Sequence, residues 1–193
     1  MIKVRLICFM KEEIMENKVI ANEEINVKKL KKAEEIILNL QKELKDYIAK
    51  GSGPFLAAVY DNKGKLIAKT ANSVINETCS NNHAEMNVIK EAEKVLGTYD
   101  LSAYNLSLYV TAEPCMMCLG GIMWSGIKEV YYSVPSKRVE EITGFDEGFK
   151  SDWFNEFKKR GITVYGLIAE KEGERVLKDY VAEGKTVYQP ERE

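Results

Sequence analysis

The sequence has few cysteines, no apolar run long enough for a transmembrane helix and little net charge. Four cysteines among 193 residues do not make a disulfide framework and favour a reducing compartment. No apolar run reaches the length of a transmembrane helix, and residues 1–10 lack the apolar stretch and cleavage site of a signal peptide. A net charge of −2 gives none of the basic excess typical of nucleic-acid-binding proteins. We therefore expect a cytoplasmic protein that binds neither membranes nor nucleic acid.

The apolar pattern along the chain predicts one domain, which we place at residues 29–193. Helical spacings and short apolar runs follow one another from residue 30, and 45% of all residues are hydrophobic, enough for one sizeable core. Residues 1–28 keep neither pattern for long and are treated as an N-terminal extension of uncertain structure. The predicted helices begin near residues 30, 83, 114, 153 and 176, and the predicted strands cover residues 55–60, 66–71, 106–112, 129–134 and 163–168.

Two connections indicate how neighbouring strands are paired. The run Asp61-Asn62-Lys63-Gly64 has the composition of a hairpin turn, so the first two strands are expected to be antiparallel. The segment between the fourth and fifth strands is long enough to permit a parallel crossover.

The only histidine of the chain opens a motif in two halves, His83-Ala84-Glu85 and Pro114-Cys115-Met116-Met117-Cys118. One imidazole and two thiols suit tetrahedral zinc and leave the fourth position open for water, as in catalytic zinc sites. Glu85 lies two residues from the histidine and could handle the protons of that water. Proline at the first turn of a helix and a three-residue spacing would place Cys115 and Cys118 on one helix face.

The CxxC half and the motif as a whole also have simpler interpretations. A CxxC pair can be a redox pair or half of a zinc ribbon, although Cys8 and Cys79 are too far apart to form the second half. The whole motif could also stabilise a non-catalytic interaction module. Glu85 argues against that module, because a structural zinc site has no use for a carboxylate beside an open coordination position.

The combination of H-x-E with P-C-x-x-C is the signature of zinc-dependent nucleobase deaminases. Within that superfamily, residues 111–127 and the run Gly144-Phe145-Asp146-Glu147 resemble the bacterial guanine deaminases of the small cytidine-deaminase-like type. The resemblance implies a three-layer α/β/α fold with a mixed five-stranded sheet, in which strands four and five are parallel. It also implies a homodimer with one zinc ion per subunit, held by His83, Cys115 and Cys118 with a catalytic water as fourth ligand.

The resemblance further implies roles for residues outside the zinc motif. Glu85 would transfer protons, and Glu147 would act as a second carboxylate that contacts the ring N–H and the exocyclic amine. Asn72 would hydrogen-bond the purine, and Trp124 would line the base pocket. Tyr188 is the candidate lid residue of a C-terminal tail, from its own or a partner subunit. From the residues alone, Glu147 could equally be a surface acid and Trp124 a core residue.

These observations lead to a main hypothesis and two alternatives for the reaction. The main hypothesis is hydrolytic deamination of guanine, or of an analogue such as a guanine nucleoside or an amino-triazine, to xanthine or the corresponding oxo product and ammonia. A tRNA adenosine deaminase and a cytosine deaminase share the zinc motif. The run Cys79-Ser80-Asn81-Asn82 stands where the family often has an Asp-Pro-Thr-like stretch, which leaves the exact substrate open.

Overall fold

The computed structural model describes residues 27–189. Residues 1–26 of the predicted extension and residues 190–193 therefore lie outside the described part of the chain. None of the described helices is both long enough and apolar enough to cross a membrane.

The described chain forms seven α-helices and five β-strands, with a short 3-10 turn at Ser102–Tyr104. The helices are α1 (Val27–Ala49), α2 (Val74–Glu77), α3 (Ala84–Leu96), α4 (Met116–Ser125), α5 (Ser136–Thr143), α6 (Trp153–Lys159) and α7 (Glu170–Ala182). The strands are β1 (Leu56–Tyr60), β2 (Leu66–Ala71), β3 (Ser107–Ala112), β4 (Glu129–Val134) and β5 (Thr163–Tyr165).

The five strands form one mixed sheet in the order β2-β1-β3-β4-β5. Strand β1 is antiparallel to β2 and to β3, whereas β4 is parallel to both β3 and β5. In the predicted hairpin, Asp61 Oδ1 accepts hydrogen bonds from the amides of Lys63 and Lys65 at 2.9 and 2.8 Å. The parallel pairs follow from the helices that connect these strands. The predicted hairpin and the parallel fourth and fifth strands are confirmed.

Side chains that alternate along the strands divide the core into two apolar clusters, one on each face of the sheet. On β3, Leu108 and Val110 pack in the cluster that contains residues of α3, α4 and α6. Tyr109 points to the opposite face, where α1 and α7 pack with it. The result is the predicted three-layer α/β/α arrangement, and all the larger described helices pack on this one sheet. That residues 29–193 form a single domain stays a prediction.

The topology brings two helix N-termini together above the middle of the sheet. Helix α3 begins after the segment that follows β2 and contains α2, and three residues separate the end of β3 from the start of α4. The two helices pack against each other on the same face of the sheet. Residues at the first turns of both helices therefore converge on one point.

Candidate active site

The three predicted metal ligands meet at that point. The Cys115 sulfur lies 3.4 Å from His83 Nδ1 and 3.5 Å from the Cys118 sulfur, and Cys118 lies 3.7 Å from His83 Nδ1. In a tetrahedral zinc site with Zn–S near 2.3 Å and Zn–N near 2.0–2.1 Å, such ligand atoms are roughly 3.5–3.8 Å apart. The three atoms thus form one face of a tetrahedron of the right size for zinc. The donor set fits the metal, and three ligands leave the fourth position open.

Helix geometry explains why these ligands converge. His83 and Cys115 are the N-cap residues of α3 and α4, both with an extended backbone, so their side chains lie beside the helix ends. Cys118 is three residues further along and buried in the first turn of α4. Positive helix ends favour thiolates over thiols. The hydrogen bond with Cys118, opposed by burial and assisted by His83, lowers the pKa of the Cys115 thiol to about 4.

Glu85 lies in the first turn of α3, buried beside the metal ligands without being one of them. Burial and the negative charge of Cys115 raise the pKa of its carboxyl to about 7. A carboxyl with a pKa near the working pH can both accept and donate a proton during a reaction. This position therefore suits the proton-transfer role that the sequence predicts.

A cavity of about 610 Å³ opens over the metal ligands. That volume is within the range of small-molecule sites, about 300–1,000 Å³. Four of the predicted residues, Asn72, Glu85, Glu147 and Tyr188, line it together with the ligands His83 and Cys115. The structure thus brings these predicted side chains around one space.

Glu147 reaches the cavity from the segment between α5 and α6. Its backbone carbonyl accepts a hydrogen bond of 3.2 Å from the amide of Met116, which ties this segment to the start of α4. Its side chain is buried, and burial raises the pKa of the carboxyl to about 8, an effect that Lys150 opposes. A second carboxylate therefore lies close to Glu85 and the thiols.

Asn72 and Tyr188 bring polar groups to the cavity that have no hydrogen-bond partner among the described residues. These groups are Asn72 Nδ2 and the Tyr188 hydroxyl, while Asn72 Oδ1 accepts from the Val74 amide at 3.1 Å. A Cβ atom on Gly53 would lie 2.7 Å from the Tyr188 hydroxyl and 2.9 Å from Asn72 Oδ1, so only glycine allows this close approach. A buried polar group without a partner costs about 1–3 kcal/mol, which a bound ligand can recover. In this structure Tyr188 lines the cavity of its own chain.

Trp124 does not line the cavity of its own chain, and its place in a base pocket stays a prediction. Its side chain is 88% exposed on the outer side of α4. Trp124 follows Cys118 by six residues, which is about one and two-thirds helical turns, so the two side chains point in different directions.

Several residues of the site had no role predicted from the sequence. Phe55 and Phe145 form an edge-to-face pair with ring centroids 5.3 Å apart in the cavity wall. Glu113 also lines the cavity and forms an ion pair with Lys150 at 3.2 Å. No sequence signal distinguishes these aromatics from core residues or these charges from surface residues.

A family model described as the cytidine and deoxycytidylate deaminase zinc-binding region matches residues 30–134, more than half of the chain. The match contains His83, Glu85, Cys115 and Cys118. It includes strands β1 to β4 and the helices that supply the metal ligands.

Curated relatives of two kinds resemble the chain. The guanine deaminase of Bacillus subtilis (strain 168) is 41% identical over 97 residues, 50% of this chain and 60% of that protein. The tRNA-specific adenosine deaminase of the same organism is 43% identical over 91 residues, 47% of this chain and 55% of that protein. The chain thus matches less than two thirds of the length of these two relatives.

A solved structure described as a guanine deaminase from Nitrosomonas europaea resembles the whole fold. Its TM-score is 0.74 at 36% sequence identity, and the match covers 77% of this chain and 84% of that chain. The likeness therefore extends beyond the zinc-binding motif.

Proposed function

This chain belongs to the family of the cytidine and deoxycytidylate deaminase zinc-binding region, and we propose that it deaminates guanine or a close analogue. Water would replace the exocyclic amino group, so that guanine gives xanthine and ammonia. A guanine nucleoside or an amino-triazine would give the corresponding oxo product. The observation that carries the proposal is Glu147, a buried acceptor that faces the same cavity as the metal ligands and Glu85.

Zinc would be held by His83, Cys115 and Cys118, whose spacing and donor types fit it. When bound, zinc acts as a Lewis acid that lowers the pKa of water from about 16 towards about 7. Two thiolate ligands require reducing conditions, so we also infer a cytoplasmic location.

Glu85 would move the protons of the reaction. Its carboxylate accepts a proton from the attacking water and passes it to a ring nitrogen of the base. It then takes the remaining proton of the added hydroxyl group and delivers it to the amino group, which leaves as ammonia while the ring carbon becomes a carbonyl. A pKa of about 7 matches a group that must take up and release a proton twice in each turnover.

Glu147 and Asn72 would recognise the base. In its ionised form Glu147 only accepts hydrogen bonds, so it complements the ring N–H and exocyclic amine of guanine. Burial favours the neutral acid, whereas the adjacent Lys150 ammonium and the N–H donors of the base favour the ionised form. The partnerless Nδ2 of Asn72 is a donor and complements an acceptor on the purine, such as its carbonyl oxygen. Adenine presents a different order of donors and acceptors, so Glu147 and Asn72 together favour guanine over adenine.

The charge of the cavity wall favours a base or nucleoside over a substrate that carries phosphate. Four of the lining residues are acidic, namely Glu85, Glu113, Asp146 and Glu147, and none of the described lining residues is lysine or arginine. Phosphates beside carboxylates are repelled, whereas tRNA-binding proteins attract phosphates with basic residues.

We expect this preference to be visible in a substrate panel. Ammonia release should be measured with zinc-loaded protein and guanine, guanosine, guanosine monophosphate, cytosine or a tRNA that contains the target adenosine. The expected result is turnover of guanine or guanosine, with kcat/KM for the monophosphate lower than for guanosine by about tenfold or more, which is 1.4 kcal/mol. Turnover of the tRNA alone, with salt-sensitive binding, or of cytosine alone would contradict the proposal.

The proposal includes a homodimer, because α4 exposes an apolar surface beside the site. Met116 and Trp124 lie two turns apart on α4 and are 58% and 88% exposed, and Phe149 is 77% exposed next to Gly148, which lies against Met116. Exposed apolar surface of this kind is typical of protein interfaces.

Sedimentation equilibrium should give twice the mass of one chain, and Trp124→Glu should shift the protein towards the single-chain mass. A wild-type protein that stays a single chain at high concentration would contradict the dimer.

A further inference from the structure

Lys150 is a cation held in the interior directly behind the cavity. Its side chain is only 12% exposed, in the segment between α5 and α6. Its ammonium group lies 3.2 Å from Glu113 Oε1 and 3.8 Å from Glu147 Oε2, and it hydrogen-bonds the hydroxyl of Ser136. Lysines are rarely buried without a partner, and this one has three.

Ser136 links Lys150 to both carboxylates. Its backbone amide donates to Glu113 Oε2 at 3.0 Å, and its hydroxyl lies 3.4 Å from Glu147 Oε2. An ammonium group can only donate, so the Ser136 oxygen accepts from Lys150 and its own proton points to Glu147. Lys150 therefore fixes the direction of the hydrogen bond between Ser136 and Glu147, in which the Ser136 hydroxyl donates.

The cluster of Lys150, Ser136 and Glu113 fixes one side of the Glu147 carboxylate. Glu147 Oε2 faces the ammonium and the hydroxyl, and the Glu147 amide donates to Glu140 at 3.2 Å, which holds the backbone. Glu113 is the second buried carboxylate on the same lysine, so Lys150 compensates two negative charges in the interior. Without the lysine, these two carboxylates would repel each other and Glu147 would lose its fixed orientation.

We propose that Lys150 is a positioning residue for substrate recognition, which holds Glu147 directly and through Ser136 as an acceptor for the N–H groups of the base. The inference rests on the proposed function. It assigns Lys150 no contact with the base, because Lys150 is not among the residues that line the cavity. Its effect on the base therefore passes through the carboxylates that it holds, Glu147 and Glu113, and the proposal assigns the effect to Glu147.

A double-mutant cycle tests this coupling. In the wild-type background, Lys150→Met should raise KM for guanine about tenfold or more and lower kcat by a smaller factor. In a Glu147→Gln background, the same change should alter KM less than about twofold, because contacts that act through one residue are not additive. Lys150→Arg should keep KM within about threefold of wild type. Exposed Lys158, changed to methionine, is the matched control and should behave as wild type.

Binding and metal content separate positioning from damage to the fold. In an inactive Glu85→Gln background, Lys150→Met should weaken the binding of the guanine analogue 8-azaguanine about tenfold in calorimetry, with zinc content unchanged. If Lys150→Met does not fold, Ser136→Ala replaces it in the same cycle, with an effect in the same direction.

Equal effects of Lys150→Met with and without the Glu147 carboxylate would overturn the inference, as would unchanged KM in the wild-type background. If the wild-type protein deaminates guanine, neither of these results affects the proposed function. A wild type that neither binds nor deaminates guanine overturns the proposed function, and the inference with it.

Discussion

Replacing Glu85 with glutamine is expected to lower kcat for guanine by about 10²–10⁴-fold, the contribution of a positioned acid or base. The loss should be near the upper end, because one carboxyl serves the water, the ring nitrogen and the leaving amine in turn. Glutamine keeps the size and the polarity of the side chain and cannot take up a proton at neutral pH. KM should change much less than kcat, since the base is recognised by other residues.

Zinc content and a matched variant show whether the loss of kcat reflects lost proton transfer or lost zinc. Glu85 is not a metal ligand, so the Glu85→Gln protein should keep one zinc ion per chain by mass spectrometry. Glu91→Gln makes the same change on the same helix, outside the residues that line the cavity, and should leave kcat unaffected. A Glu85→Gln protein that keeps more than a tenth of wild-type kcat would show that another group moves the protons.

Replacing Cys115 or Cys118 with alanine is expected to abolish stoichiometric zinc binding and activity together. Two remaining ligands do not hold zinc tightly, and the metal contributes several kcal/mol to the reaction, about 10³-fold or more in rate. The Cys118→Ala protein should also unfold at a lower temperature, because this thiol is buried and metal binding adds to folding free energy.

Metal removal gives the same result without a mutation. Dialysis against a chelator under reducing conditions should remove activity from the wild-type protein, and one equivalent of zinc should restore it. Cys8→Ala is the matched cysteine control and should keep both zinc and activity. If the Cys115→Ala protein retained full zinc content, the assignment of that ligand would be wrong.

Much of the fold and of the metal centre could be predicted because the signals are local. The H-x-E and CxxC spacings each lie within one helical turn, so two short motifs were enough to place His83, Glu85, Cys115 and Cys118. The strands were predicted in the same way, from short apolar runs separated by turns, whereas their arrangement in a mixed five-stranded sheet was implied by the family resemblance. The geometry of the three metal ligands confirms the predicted zinc site.

Two helices were missed although the chain carries some of their signals. Helix α5 begins after Pro135 and ends at Gly144, which has φ of 78°, yet the segment was treated as a connection because its apolar residues are few. Helix α2 has four residues and none that is buried, so no periodicity could reveal it. Strand β5 is shorter than predicted: it ends at Tyr165, Gly166 passes against the ring of Tyr132, where a Cβ atom would lie 2.3 Å from Cζ, and Leu167 has a φ of 61°, outside the strand region. This contact depends on the tertiary structure.

Other features depend on directions that only the assembled fold sets. The family resemblance predicts that Trp124 lines the base pocket, whereas its side chain lies exposed on the outer side of α4 in this structure. Lys150 lies in no motif, and its role is visible only in the folded chain, where β3, α5 and the loop before α6 place Glu113, Ser136 and Glu147 around it. Conversely, Asn72 and Tyr188 are more than a hundred residues apart, and the cavity brings them together.

The most direct test of the account is the conversion of guanine by the purified, zinc-loaded chain, with xanthine and ammonia measured in the same sample. The account predicts xanthine and ammonia in equal amounts, formed at a rate that depends on zinc and falls at least a hundredfold in the Glu85→Gln protein. A zinc-loaded, folded protein that forms no xanthine from guanine or xanthosine from guanosine, yet releases ammonia from another base, would contradict it.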